Sequence, residues 1–254
     1  MTISADVAEH YRKNSSVQFG LAQKLLETVD FSQSGSILDV GCGDGKITEA
    51  ISKQASDATM MGVDLSPAMV ELARSTYPSL TFETADASIL NLGKTFDSIV
   101  CLSCLHWVRK PAQAINRMAA HLNPGGSLLL LTFPQESVYY QVFEDALIDP
   151  CFEPFSETTA AKTLLTIDQL REALVGSGLT IETFNVEHQI ACYEDAQEYM
   201  DYVKGWLPCW IDLPEDLHNS YLHHAAAIAE ARWKEKGVIA IPYTVISIKA
   251  YRHG

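Results

Sequence analysis

Short apolar strands alternate with amphipathic helices along the first half of the chain, and this alternation predicts a doubly wound α/β sheet. Two further observations agree. A glycine-rich turn, Gly41-Cys42-Gly43-Asp44-Gly45, joins the apolar run of Ile37, Leu38 and Val40 to a helical pattern through Ile47, Ala50 and Ile51. Acidic residues, Asp64 and Asp86, close the next two apolar runs, where an open parallel sheet gathers its ligands.

Residues 5–28 carry an apolar set (Val7, Tyr11, Leu21, Leu25, Leu26) that predicts a helix, interrupted by the polar stretch Tyr11 to Gln18. A polar loop over 32–36 leads into the first strand. The second strand is predicted at 58–66, and Ser66-Pro67 opens the helix that follows, with proline in its favoured first turn. The third strand is predicted at 80–86 and the fourth at 96–108. A helix over 112–122 then stops at Asn123-Pro124-Gly125-Gly126. The fifth strand, 127–133, is fully apolar, as a central strand buried on both faces should be. Residues 134–165, dense in aromatics and prolines, depart from the pattern and read as an insertion. A capped helix from Ile167 to Gly176, a strand at 179–193, helices across 194–236 and a final strand at 238–252 complete the chain.

The 254 residues fit one α/β domain with elaborations, 47% of them hydrophobic, enough for a sizeable core. A formal charge of −14 argues against nucleic acid and anionic membranes as partners, since a phosphate backbone needs a basic surface. Six cysteines at irregular spacing do not form a disulfide framework and fit a reduced, cytoplasmic setting. The N-terminus has no apolar run of signal-peptide type. Cys101 and Cys104 lack the second pair that a structural zinc needs, and they leave a strand rather than open a helix, so they read as buried thiols and no metal is expected.

The glycine turn is not the dinucleotide pattern. Lys46 stands where the third glycine of G-x-G-x-x-G belongs, and Asp39 and Asp44 bracket the turn and would repel a diphosphate. A cationic ligand suits them better. The run Asp39-Val40-Gly41-Cys42-Gly43-Asp44-Gly45 resembles the first motif of class I S-adenosylmethionine-dependent methyltransferases. Asp64, about 20 residues beyond Gly45, has the spacing of a ribose-binding acid. The bland reading is an acid that caps the next helix. In that family an acid placed like Asp86 contacts the adenine amine, and the bland reading is an Asx-turn. The resemblance implies a cofactor site of Asp39, Gly41, Cys42, Gly43, Asp64, Leu65, Met69, Asp86, Ala87 and Leu102. It also implies a seven-stranded, Rossmann-like methyltransferase sheet whose last strand inserts antiparallel beside the fifth. Residues 1–254 would then be one domain: a helical element at 1–30, a cofactor half at 31–135, and lid segments at 136–165 and 194–236. The late strands, 179–193 and 238–252, complete that layout.

The whole chain resembles small-molecule carboxyl methyltransferases: the juvenile hormone acid, trans-aconitate and malonyl-acyl-carrier-protein group. Tyr11-Arg12-Lys13-Asn14 with Gln18, Leu105-His106-Trp107-Val108, Asn123-Pro124-Gly125-Gly126 and Tyr243 to Ser247 carry the likeness. It implies that Gln18 and Trp107 hold the substrate carboxylate, with Tyr11, His106, Tyr199 and Trp206 around the acceptor. A carboxylate is already nucleophilic at neutral pH, so in-line displacement needs positioning and no general base. Among residues 194–236 only Lys204, Arg232, Lys234 and Lys236 are basic, too few for a trianion, and a single carboxylate on an apolar body is the expected acceptor. A carrier-bound malonyl thioester ranks second, because an acidic carrier would be repelled. An amine or phenol acceptor would need a base, for which His106 is the candidate. A nicotinamide oxidoreductase and a non-catalytic binder are weaker readings.

Overall fold

The computed structural model describes residues 16–253, with side chains from Phe19 onward except at 161 and 162. Five parallel strands come first: β1 (Ser36–Val40), β2 (Thr59–Asp64), β3 (Thr81–Thr84), β4 (Phe96–Leu102) and β5 (Leu122–Thr132). Helices α1 (Ser16–Leu26), α2 (Lys46–Gln54), α3 (Pro67–Thr76) and α4 (Pro111–Ala120) accompany them. After β5 come α5 (Gln141–Ala146), α6 (Ile167–Gly176), β6 (Leu179–Tyr193), α7 (Ala196–Lys204), α8 (Leu207–Trp210), α9 (Glu215–Trp233), a two-residue β7 (Lys234–Glu235) and β8 (Val238–Arg252). The spatial order is β3-β2-β1-β4-β5-β8-β6, with β7 hairpinned onto β8. β8 lies antiparallel between β5 and β6, from Ser127 opposite Tyr251 to Thr132 opposite Ile246. The expected antiparallel insertion is therefore present, and β7 is a small addition to the seven strands.

Strand alternation sorts side chains to two faces. Ile37, Val100, Leu102, Leu129 and Leu131 point to the face covered by α1, α2 and the segments between β5 and β8. Leu38, Ile99, Cys101, Leu128 and Leu130 point to the other, covered by α4 and α6. Helices on both faces leave the carboxyl edge of the sheet for ligands. Local chemistry fixes the boundaries. Ser66 accepts a hydrogen bond from the Met69 N–H at the start of α3, and Thr166 with Gln169 forms a capping box on α6.

Two boundaries differ from expectation. β4 ends at Leu102 rather than Val108, because Ser103 turns to a φ of +56° and a 3-10 turn takes Leu105 to Trp107. Asn123-Pro124-Gly125-Gly126 lies inside β5, since Leu122 already pairs with Phe96 and a bulge absorbs the proline and glycines. The helix expected over 5–28 is seen as α1, and its earlier part lies outside the described residues.

At the opposite, amino edge, Asp97 knots three strands together. Its Oδ2 accepts from the Gly35 and Ser36 N–H groups and the Ser36 hydroxyl, and its Oδ1 accepts from Asn123 Nδ2. These bonds hold its pKa below the usual carboxylate value. Its stabilising effect is present above the ordinary carboxylate range and fades as pH falls below it. Asp97→Ala should cost about 2 kcal/mol, discounted for partial exposure, with the loss measured by urea unfolding at neutral pH.

Candidate functional site

A cavity of about 530 Å³ opens at the carboxyl ends of β1 to β4, within the size range of small-ligand sites. Gly41, Gly43, Asp64, Leu65, Met69, Asp86 and Ala87 line it from the sheet side, and Trp107 forms its end wall. Thr158 and Thr159, from the stretch between β5 and α6, and Gly205, Trp206 and Cys209, from the stretch after β6, complete the lining. The two insertions are tied where the Asp212 N–H donates to Thr158 Oγ1 at 3.3 Å.

The glycine turn divides its labour. A Cβ on Gly41 would lie 2.2 Å from Cys104 Sγ, so this glycine permits packing of the turn on the 3-10 segment. Gly43, at φ +53°, would point a Cβ into open space within the cavity lining, leaving its backbone exposed to a ligand. Asp64 Oδ2 accepts from the Gly43 N–H at 3.0 Å and Oδ1 from the Ser66 N–H at 2.8 Å. The carboxylate thus holds the turn in place and keeps further lone pairs for a ligand. Burial raises its pKa, only partly offset by those N–H groups. Asp86 Oδ1 takes both the N–H and the hydroxyl of Ser88, the Asx-turn of the bland reading, and neither bond uses Oδ2. The two readings of Asp86 are compatible.

Beneath the turn, Asp39 is 1% exposed and accepts from Thr48 Oγ1 at 2.7 Å. Burial, with Asp64 and Asp44 close by, raises it to about 7. Among the described residues four acids, Asp64, Asp86, Glu157 and Asp212, line the cavity against one cation, Arg109. The fit to a sulfonium ligand without phosphate is good: an open glycine cradle, a carboxylate with free lone pairs, and a negative field.

Beyond Trp107 lies a second, smaller chamber, about 40 Å³, walled by Phe133, Tyr139, Tyr140, Tyr193, Tyr202 and Tyr243, with Leu21 and Ala191 and the shared Trp107 and Trp206. Trp107 and Trp206 stand between the two spaces with ring centroids 5.5 Å apart. His106 also faces this chamber. It is buried, its Nδ1 has no partner among the described residues, and burial lowers its pKa to about 3. Among the described residues no lysine or arginine lines the chamber. Arg232 pairs with Asp145 at 2.5 Å and Lys234 with Glu230 at 2.7 Å, both directed elsewhere.

Most of the expected residues come together, and four do not line either space. Asp39 is held under the turn by Thr48. The Cys42 side chain turns the other way, into a cluster with Val70, Ala73 and Phe82. Leu102 packs in the core of the sheet, because strand alternation points it to that face. Tyr199 is fully buried, edge-on to Tyr193 at 5.2 Å, which corrects its expected place at the acceptor. Gln18 lies on α1 and its side chain is outside the described residues, as is Tyr11. Ser103, Arg109, Cys209 and the tyrosine chamber were missed. The aromatic density of residues 134–165 and 194–236 marked the region, but Tyr193 sits on a strand with no motif, and the motif that begins at Tyr243 gave that residue no place at the site. Among the described residues no His, Cys, Asp and Glu group could hold a metal, and no helix is long and apolar enough to cross a membrane. Cys101 and Cys104 are free thiols.

Comparison with known proteins adds the following. The family model described as a methyltransferase domain matches residues 37–126. The chain is 30% identical over 221 residues to a trans-aconitate 2-methyltransferase of Variovorax paradoxus, covering 84% of each protein. It is 27% identical over 255 residues to a malonyl-[acyl-carrier protein] O-methyltransferase of Halalkalibacterium halodurans, covering 91% of this chain and 90% of that protein. The solved structure of a candidate methyltransferase from Bacillus halodurans C-125 superposes with a TM-score of 0.67 at 16% identity, over 92% of this chain and 99% of the other, a likeness of fold.

Proposed function

Because the chain belongs to the class I S-adenosylmethionine-dependent methyltransferases, we propose that its acceptor is the carboxylate of a small, largely apolar organic acid. The observation that carries this reading is the aromatic chamber behind Trp107, walled by tyrosines and, among the described residues, by no lysine or arginine. Bound S-adenosylmethionine supplies an electrophilic methyl group on a sulfonium. Gly43, Asp64 and Asp86 hold the ligand along the carboxyl edge. Trp107 offers an indole N–H at the junction of the two spaces, and the tyrosine rings beyond it give that end of the larger cavity an apolar, water-poor boundary. Gln18, on the implication of the family likeness, is the second donor to the carboxylate. Holding one carboxylate oxygen opposite the departing sulfur supplies most of what the reaction asks. Neutral donors suit it, because the transition state partly discharges the acceptor anion.

A base is not required, and His106, at about 3, is too weak to deprotonate an amine or phenol near neutral pH. The four acids of the main cavity also disfavour a trianionic acceptor, although trans-aconitate is named for one relative. A carrier-bound malonyl thioester is the second reading. Its support is the likeness to a malonyl-carrier methyltransferase and an exposed basic pair, Arg109 and Lys110, beside the cavity.

The test is a panel of free acids, from fatty and aromatic monocarboxylates to trans-aconitate, with malonyl carrier protein alongside, scored by mass of the methyl ester. Apolar monocarboxylates should give the highest kcat/KM, and a carrier substrate that outpaces them all would overturn the reading. Trp107→Phe keeps most of the ring and removes the N–H. With the preferred acid it should lower kcat/KM about 10- to 100-fold, the loss expected for a hydrogen bond to a charged group. An unchanged kcat/KM would remove Trp107 from the carboxylate site.

A further inference from the structure

Ser103 terminates β4 between the glycine turn and Trp107, and it combines two unfavourable features. Its φ of +56° is in the left-handed region, shared among the described non-glycine residues only by Lys236. Its Oγ is buried with no hydrogen-bond partner among those residues. The backbone is nonetheless firmly placed, since the Ser103 N–H donates to the Leu131 carbonyl at 2.8 Å and extends the sheet ladder. Ser103 lines the main cavity. A glycine here would relieve the backbone, and an alanine would remove the unsatisfied hydroxyl. Strain and an orphaned polar group at one residue in a ligand cavity point to a partner that arrives with the ligand.

The sheet order says which part of the ligand that is, resting on the reading of Asp64 and Asp86 given above. Asp86 follows β3 and Asp64 closes β2, and the order continues β1 then β4. A ligand with its adenine at Asp86 and its ribose at Asp64 brings its remaining end over β1 and β4. Ser103 is at the end of β4, and its neighbour Cys104 packs directly on Gly41 at the end of β1. We propose that the Ser103 hydroxyl hydrogen-bonds the aminoacyl end of S-adenosylmethionine and so sets the position of the sulfonium relative to Trp107. The hydroxyl is neutral and can both donate and accept, so it serves a zwitterionic end without adding charge.

The test compares two probes by calorimetry: S-adenosylhomocysteine, which has the aminoacyl end, and 5′-methylthioadenosine, which lacks it. Ser103→Ala and Ser103→Gly should each weaken S-adenosylhomocysteine about 10-fold, as for a hydrogen bond to a charged group, and leave 5′-methylthioadenosine within about twofold. Ser103→Gly should melt at or above the wild-type temperature, which separates lost binding from lost folding. Asp64→Ala serves as the control and should weaken both probes. If Asp64→Ala does so and the Ser103 variants weaken both probes equally or neither, the assignment of Ser103 is overturned. If Asp64→Ala changes neither probe, the cofactor placement fails and the assignment falls with it.

Discussion

Gly41→Ala should unfold the cofactor turn, whereas Gly43→Ala should leave the fold intact and weaken binding. The added methyl at Gly41 would meet Cys104 Sγ at 2.2 Å and Cys104 Cβ at 2.3 Å, at a backbone φ of +81°. Overpacking and left-handed strain together should cost about 3–5 kcal/mol. Cys104 cannot retreat easily: it sits between strained Ser103 and the 3-10 turn, and its thiol bonds Cys101, which with burial raises its pKa well above the free value. The double variant Gly41→Ala/Cys104→Gly removes the opposing side chain and should recover most of the packing part, leaving only the backbone part. Gly43 has a φ of +53° and nothing near its missing Cβ, so Gly43→Ala should cost about 1 kcal/mol of stability. Its methyl would occupy the lining of the ligand cavity, and S-adenosylhomocysteine affinity should fall by at least about 10-fold, the worth of roughly one displaced close contact. Thermal melts with and without ligand measure both effects. Equal stabilities for the two variants would contradict this division of the turn.

The fold was legible because its signals are local. Ser66-Pro67, Thr166 with Gln169, and the apolar alternation of 238–252 each specify an element from a few neighbouring residues, and each appears where expected. The end of β4 was not legible, because the residues 96–108 are apolar enough to continue a strand. Only the left-handed turn at Ser103 ends it, next to the point where Cys104 approaches Gly41. That approach joins residues far apart in sequence and has no local signature. The same limit explains why a proline and two glycines read as a stop at 123–126: a bulge accommodates them once β4 is alongside.

The candidate site divides along the same line. Asp64, Asp86 and Gly43 line the main cavity, and their place at the strand ends was readable because strand ends locate the carboxyl edge of the sheet. Tyr199 was read from a helical aromatic stripe, and such stripes serve cores as readily as sites. Here it packs against Phe143 and Tyr193 in the interior. The rings that wall the smaller chamber come from the residue after β5 (Phe133), residues 139 and 140, β6, α7 and β8, and only long-range topology assembles them. Composition indicated an apolar acceptor, and the arrangement of those rings could only be read from the folded chain.

Asp39→Asn should stabilise the protein at neutral and alkaline pH while weakening its preference for a sulfonium. A carboxyl in the unfolded chain ionises near pH 4, and burial raises Asp39 to about 7 in the folded protein. Between those values the folded state binds a proton that the unfolded state does not, so wild-type stability falls as pH rises from about 4 to about 7. The full shift corresponds to about 4 kcal/mol, and relaxation around the carboxylate should reduce the measured loss across the interval to about 2 kcal/mol. Asparagine still accepts from Thr48 Oγ1 and carries no charge to bury, so the variant should match the wild type near pH 4 and exceed it above pH 7. The charge has a use that offsets this cost. With Asp64 and Asp44 it adds to the negative field at the turn, and a bound cation favours its ionised form. In the wild type, affinity for S-adenosylmethionine relative to S-adenosylhomocysteine should therefore rise between pH 6 and 8 (about the buried group's range), and in Asp39→Asn it should stay flat. Calorimetry of both ligands across that interval, beside urea melts, decides the matter. A variant that keeps the wild-type slopes would assign the titration to another group and leave Asp39 a structural acid beneath the turn.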